Sequence, residues 1–220
     1  MSDYKITWTD THDDVPETKT VPAYDNTNIA PRCVIGLDRD GVINVDAIDM
    51  SKDYVYKVED FKPIEGSLHA ITKLRYLGHK IVVITNQGGI SKGLYTSDDV
   101  EAVHSHMFDL LAQAGCPTID ALFYSESSLR SDMYAKPNTG MFKRCENEVK
   151  HIKFKQGYYV GDKISDLKAA YKIGARPVLV RTGYGEQTIK ELNKFTNQKI
   201  KKKTIVLDDL LSLANWLESK

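Results

Sequence analysis

The chain predicts a doubly wound α/β domain with a mostly parallel sheet. Short apolar runs alternate repeatedly with segments of helical periodicity, and that alternation needs crossover helices on both faces of a parallel sheet. Small polar or acidic clusters follow the apolar runs, at the edge where such sheets bind ligands. A length of 220 residues with 41% hydrophobic composition is enough for one domain with a sizeable core.

Taken in order, residues 1–31 are rich in Thr, Asp and Pro without apolar periodicity, which predicts a loosely ordered arm ahead of a single domain over 32–220. Residues 33–37 read as the first strand. Leu68, Ile71 and Leu74 are spaced for a helix over 67–76, Gly78 closes it, and 80–85 is again an apolar run, completing a βαβ unit. Thr96 or Ser97 caps a helix carrying Val100, Val103, Met107, Leu110 and Leu111, and a strand over 119–124 follows. Then come a helix over 141–151, a strand over 157–160, a helix over 164–173 stopped by Gly174, and a strand over 177–180. A strand over 204–207 and a helix over 210–217 close the chain, and the basic stretch 194–203 reads as a solvated loop. The spacings between these elements leave no room for a large cap domain. Residues 45–61, with Tyr54, Val55 and Tyr56, read either as a small flap touching a leaving group or as an ordinary surface hairpin.

Charge and cysteines narrow the function classes. Lysine plus arginine equals aspartate plus glutamate, 30 against 30, so no overall field steers nucleic acid or an anionic membrane, and a charged ligand needs a local arrangement. Cys33, Cys116 and Cys145 lack metal or redox spacing and read as small buried apolar residues. Acidic residues near the start and the lack of a long apolar run point to a reducing, cytoplasmic setting without membrane insertion. His104 and His106, two apart on one helix, read as ordinary core or surface residues, and Gly183 with Gly185 is too short a pattern for a nucleotide site.

Four clusters carry the chemistry. Asp38-Arg39-Asp40-Gly41 puts two carboxylates at the end of the first strand; they repel unless a hard divalent cation neutralises them, although an Asx turn closed by Gly41 uses the same residues. Thr85-Asn86-Gln87-Gly88-Gly89 suits backbone amides turned toward an anion, and equally a plain strand-to-helix turn. Lys136-Pro137-Asn138-Thr139 places a cation before a helix N-terminus, beside a phosphate or simply on the surface. Gly161-Asp162-Lys163-Ile164-Ser165-Asp166 puts Asp162 at a strand end and Asp166 one turn into a helix, where capping is the alternative. That all four clusters fall on strand ends of one sheet favours a shared site, with Asp38, Asp40, Asp162 and a phosphate dianion balanced by a metal dication and Lys136.

In chain order these clusters resemble the four motifs of the haloacid dehalogenase superfamily of phosphotransferases, with its Rossmann-like fold. The segments Leu37-Asp-Arg-Asp-Gly-Val-Ile-Asn44, Ile84-Thr-Asn-Gln-Gly-Gly-Ile90, Lys136-Pro137 and Val160-Gly-Asp-Lys163 are similar to those of the histidinol-phosphate and D-glycero-D-manno-heptose bisphosphate phosphatases. The resemblance implies a magnesium-dependent phosphatase in which Asp38 is the nucleophile and Asp40 the acid and base. It also implies that Asp162 binds Mg2+ with Asp38 and the Asp40 carbonyl, and that Thr85, Asn86 and Lys136 hold phosphoryl oxygens. Lys163 and Asp166 would support them, and Lys92 stands where an arginine is expected. Residues 125–135 hold neither Cys nor His where those relatives commonly carry a zinc site, so no structural zinc is expected, and Ala135 replaces an arginine. The expected partner is a small phosphorylated molecule, a sugar phosphate first.

Three rival readings remain at this point. The segment Lys136-Pro-Asn-Thr-Gly-Met141 also resembles polynucleotide 3′-phosphatases, which would gather lysines around the crevice. A receiver-like signalling domain shares strand-end aspartates and a Lys-Pro, but there the Lys-Pro lies near the last strand. A non-catalytic phosphosugar-binding module has no need of Asp40.

Overall fold

The structure, a computed structural model, describes residues 32–194 and 197–220, together with the strand backbones Tyr4–Thr7 (β1) and Thr18–Val21 (β2). Those two strands pair antiparallel, where the sequence predicts no regular structure; their β-branched Ile, Thr and Val residues favour extended backbone. The rest of the expected arm lies outside the described residues.

A six-stranded sheet organises the remainder. Its strands are β3 (Val34–Leu37), β4 (Lys80–Asn86), β5 (Ala121–Ser125), β6 (Tyr158–Gly161), β7 (Arg176–Val180) and β8 (Ile205–Leu207), in the spatial order β5-β4-β3-β6-β7-β8. Every neighbouring pair is parallel. From β3 the chain builds outward to β4 and β5, then returns to lay β6 on the other side of β3. The switch in strand order therefore lies between β3 and β6, and a crevice opens above their C-terminal ends.

Strand residues alternate between two cores. Ile81 and Val83 pack with helices α1 (Ser67–Tyr76), α2 (Ser97–Gln113) and α7 (Leu210–Glu218) through Ile71, Val103, Met107 and Leu213. Val82 and Ile84 pack on the other face with α3 (Gly140–Glu148) and α4 (Ile164–Ile173) through Phe142, Cys145 and Ala169. Helix α2 starts as its sequence indicates, in a capping box between Thr96 and Asp99. Helix α3 ends at Glu148, earlier than its periodicity suggests.

Two corrections concern the C-terminal third. Gly185–Lys194 forms a helix, α5, that the sequence reading lacks, and the basic stretch holds a second one, α6 (Gln198–Lys203), instead of a loop. Asn197 caps α6 by accepting from Lys199 N and Ile200 N, and Ile200 is buried in a small cluster with Leu167, Leu179 and Leu192. One apolar anchor and a cap thus outweigh the charge run, whose lysines stay at the surface.

Between β3 and α1 the chain forms a loop instead of a domain. An antiparallel bridge from Asn44 to Pro63 closes its base, and two 3-10 turns, Ala47–Met50 and Val58–Asp60, shape it. The Val55 carbonyl of this loop meets Arg39, and Tyr54 and Val55 line a cavity with Asp40, so the segment borders the C-terminal edge of the sheet.

Candidate active site

Strand order brings Asp38, after β3, beside Asp162, after β6, and helix α4 adds Asp166 from its first turn. Carboxylate oxygens of these three buried residues lie within 4.8 Å of one another. Lys136, itself buried, sits against them with Nζ 2.9 Å from Asp38 Oδ1 and 2.8 Å from Asp166 Oδ1. The ammonium also donates to Tyr159 Oη at 2.9 Å, and Tyr159 donates onward to the Ile84 carbonyl at 2.6 Å. Burial works against the charge on Lys136, but Asp166 and Asp38 outweigh it and hold its pKa well above the lysine range. It is a fixed cation.

The aspartates shift upward too, which for them disfavours the charged form. Burial raises Asp162 well above the ordinary carboxylate range, Lys163 opposes, and Asp166 and Asp38 add to the rise. Asp166 is raised as well, first by burial and against the pull of Lys136. Asp162 Oδ2 accepts from Tyr184 N at 2.8 Å, whereas its buried Oδ1 has no hydrogen-bond partner and is 3.9 Å from Lys163 Nζ. Three crowded carboxylates with an orphaned buried oxygen fit a hard divalent cation with oxygen ligands. The carboxylate cluster includes Asp166, expected only in support, and leaves out the Asp40 side chain.

Asp40 points to a different set of partners. Its Oδ1 accepts from Arg39 Nε at 3.1 Å, Arg39 Nη2 at 2.9 Å and Asn44 Nδ2 at 2.9 Å; its Oδ2 accepts from Arg39 Nη2 at 3.0 Å and Gln87 Nε2 at 3.1 Å. Burial alone raises this carboxyl, but Arg39, Asn44 and Lys163 together hold it below the usual range. Arg39 has no solvent exposure, and spends its remaining donors on the Val55 carbonyl at 2.6 Å and His104 Nε2 at 3.1 Å. Burial and then Arg39 depress the His104 pKa well below the ordinary value, so the imidazole is neutral and accepts.

The other expected residues divide into two groups. Thr85 is buried at the end of β4, its hydroxyl receiving Gln87 Nε2 at 3.2 Å. Asn86 exchanges hydrogen bonds with the backbone of Lys136, accepting from its N–H at 3.0 Å and donating to its carbonyl at 3.2 Å. It thus anchors the lysine's loop. Farther out, Lys163 pairs with Asp46 at 3.0 Å and lies 4.5 Å from the Tyr184 ring centroid, while exposed Lys92 donates to Tyr54 Oη at 2.8 Å. A cavity of about 470 Å3 beside Asp40 is lined by Asp46, Asp53, Tyr54, Lys92, Lys163 and Tyr184, among others.

Sequence reasoning missed Arg39, Gln87, Tyr95 and the turn Thr182-Gly183-Tyr184. Arg39 and Gln87 lie inside quoted motifs, and a charged or amide side chain at a buried strand end was the available signal. The turn gave a weaker one. Thr182 Oγ1 donates to the Gly41 carbonyl at 2.6 Å, and Gly183, at φ +57°, presses so close that a Cβ would meet Asp162 Oδ2. Gly41, at φ +81°, is confined by the same carboxylate.

Known proteins are similar to this chain in sequence and fold. Residues 34–176 match the family model described as polynucleotide kinase 3 phosphatase. A D-glycero-beta-D-manno-heptose-1,7-bisphosphate 7-phosphatase of Pseudomonas putida is 36% identical over 181 residues, covering 82% of this chain and 97% of the relative. The enzyme of that name from Neisseria meningitidis is 31% identical over 84% of this chain and 94% of its own length. Among solved structures, the D,D-heptose 1,7-bisphosphate phosphatase of B. bronchiseptica, complexed with magnesium and phosphate, superposes with a TM-score of 0.75 at 31% identity, covering 85% of this chain and 98% of that one. The corresponding phosphatase from Burkholderia thailandensis gives a TM-score of 0.62 at 32% identity over 86% of this chain and 100% of its own.

Proposed function

We propose that this chain, a phosphoric monoester hydrolase that belongs to the polynucleotide kinase 3 phosphatase family within the haloacid dehalogenase superfamily, removes a phosphate from a sugar bisphosphate through an aspartyl-phosphate on Asp38. The observation that carries the reading is the buried set Asp38, Asp162, Asp166 and Lys136 at the strand switch, with Asp40 held apart from it by Arg39. Asp38 attacks phosphorus while the bond to the leaving oxygen breaks, and Asp40, which takes up a proton as the phosphate dianion arrives beside it, passes that proton to the leaving oxygen. Asp40 then takes a proton from water as the water displaces Asp38 and releases phosphate. Lys136 balances negative charge on the phosphoryl oxygens, Thr85 lines the same strand end, and Asn86 keeps Lys136 in place.

Mg2+ held by Asp38, Asp162 and the Asp40 carbonyl, with Asp166 beside them, would neutralise the carboxylates and polarise a phosphoryl oxygen. Support comes from the unpaired Asp162 oxygen and from the magnesium in the B. bronchiseptica complex. The substrate class rests on the named relatives and on a cavity whose acids, lysines and phenols suit sugar hydroxyls better than a polyanion. We assign no structural zinc. The loop before Lys136 has no Cys or His and is tied instead by Asn138 Nδ2 donating to the Arg130 and Asp132 carbonyls at 2.9 and 2.7 Å. The same reading takes residues 32–220 as the catalytic unit, residues 1–31 as an appended arm, and the setting as cytoplasmic, in keeping with free Cys33, Cys116 and Cys145. Among the described residues no helix is long and apolar enough to cross a membrane.

Phosphate release from sugar mono- and bisphosphates, histidinol phosphate and 3′-phosphorylated oligonucleotides, with Mg2+ and with EDTA, tests the reading. Mg2+-dependent release from a sugar bisphosphate, abolished in Asp38→Asn, is the expected result. Preference for the oligonucleotide would overturn the sugar assignment, and turnover in Asp38→Asn would overturn the nucleophile.

A further inference from the structure

We propose that Gln87 and Tyr95 are positioning residues for Asp40, holding its carboxylate in one orientation through a hydrogen-bonded chain that begins at Tyr95, whose ring packs against flap residues Tyr54 and Tyr56. The proposal rests on the reading of Asp40 as acid and base.

The chain runs in one direction. Tyr95 Oη accepts the Gly89 N–H at 3.3 Å, so its own hydrogen is left to donate to Gln87 Oε1, 3.2 Å away. With Oε1 occupied, the Gln87 amide must present its NH2 group inward, where it donates to Asp40 Oδ2 at 3.1 Å and Thr85 Oγ1 at 3.2 Å. A reversed amide would set an oxygen against a carboxylate, two acceptors without a proton between them. Gln87 is only 1% exposed, so water cannot repair that mismatch, and the phenol hydrogen decides which way the amide faces.

Asp40 Oδ1 is gripped by Arg39 and Asn44, whereas Oδ2 meets only Gln87 and the shared Nη2 of Arg39. Oδ2 is the less encumbered oxygen, and Gln87 sets its direction. At the other end, the Tyr95 ring stacks on Tyr56 at 4.9 Å and meets Tyr54 edge-on at 5.4 Å. Arg39 reaches the same segment through the Val55 carbonyl. Residues 54–56 therefore bear on Asp40 from two sides, one ionic and one through a neutral amide.

The test uses p-nitrophenyl phosphate, whose weakly basic leaving group departs without an acid, with Mg2+ in stopped flow. Asp38→Asn and Asp40→Asn accompany Gln87→Leu, Tyr95→Phe and the double variant. Gln87→Leu is expected to lower steady-state turnover about tenfold or more with KM falling in step and kcat/KM unchanged, while keeping a burst of nitrophenolate near one equivalent, because Asp38 is still phosphorylated and only the water step suffers. Tyr95→Phe is expected to lose about threefold alone and nothing further in the Gln87→Leu background, since it acts only through that amide. Wild-type turnover in Gln87→Leu, loss of its burst along with turnover, or additive losses in the double variant would each overturn the proposal. Normal turnover by Asp40→Asn would instead overturn the reading of Asp40.

Discussion

Arg39 brings a full charge to a position that itself has no solvent exposure, which is tolerable because it makes a close ion pair with Asp40 and finds neutral acceptors in Val55 and His104. Asp162 shows the reverse case, a buried carboxylate with one oxygen left open. Residues this crowded leave little room for additions. Gly183→Ala would put a Cβ against Asp162 Oδ2 and near the Gly41 Cα, at a φ of +57° that alanine rarely adopts. The expected cost is about 1–3 kcal/mol of stability, together with weaker Mg2+ binding. Urea unfolding and magnesium titration check both parts, and a variant with unchanged magnesium affinity would show that the turn does not press on the metal site.

Among elements, the coupling of α3 to β6 matters most for the site. Phe142 of α3 packs edge-on against Phe154 at 5.2 Å and against Tyr159 at 4.9 Å, and Tyr159 is the residue that receives Lys136. Phe142→Ala should cost about 3–5 kcal/mol by leaving a cavity. If the ring also sets the Tyr159 hydroxyl, activity of the folded fraction should fall as well. Denaturation midpoints and turnover per folded molecule separate the two effects, and unchanged turnover would limit Phe142 to packing. The flap is held by Lys92 to Tyr54, by the tyrosine packing on Tyr95 and by the buried bond from Arg39 to the Val55 carbonyl.

At the scale of the whole molecule, the site costs the metal-free fold stability in a pH-dependent way. Asp162 and Asp166 have folded-state pKa values raised by burial. Their contribution is therefore fully present below the unfolded carboxyl value of about 4 and is lost as pH rises through the raised folded values. Mg2+ held by the deprotonated carboxylates, as proposed above, would offset that loss and release protons on binding. The rise in Tm on adding Mg2+ should be larger at about pH 7.5 than at about pH 5. A larger rise at the acid end, by differential scanning fluorimetry, would place magnesium elsewhere.

The sequence by itself determined the strands of the six-stranded sheet, most of the helices and the four strand-end clusters, because periodicity, caps and glycine stops are local and 37–41, 84–90, 136–140 and 161–166 each carry their own signal. Helices α5 and α6 escaped it because the charge-rich stretch conceals single apolar anchors, Leu192 and Ile200, whose value appears only when they pack together. Tertiary structure alone decided that β6 returns beside β3, which moves Asp166 into the cluster with Asp38 and Asp162. It also decided that Arg39 turns inward to His104 and that Tyr95 reaches Gln87. Those outcomes depend on strand order and on side chains competing for the same buried donors and acceptors, and no local pattern encodes that competition.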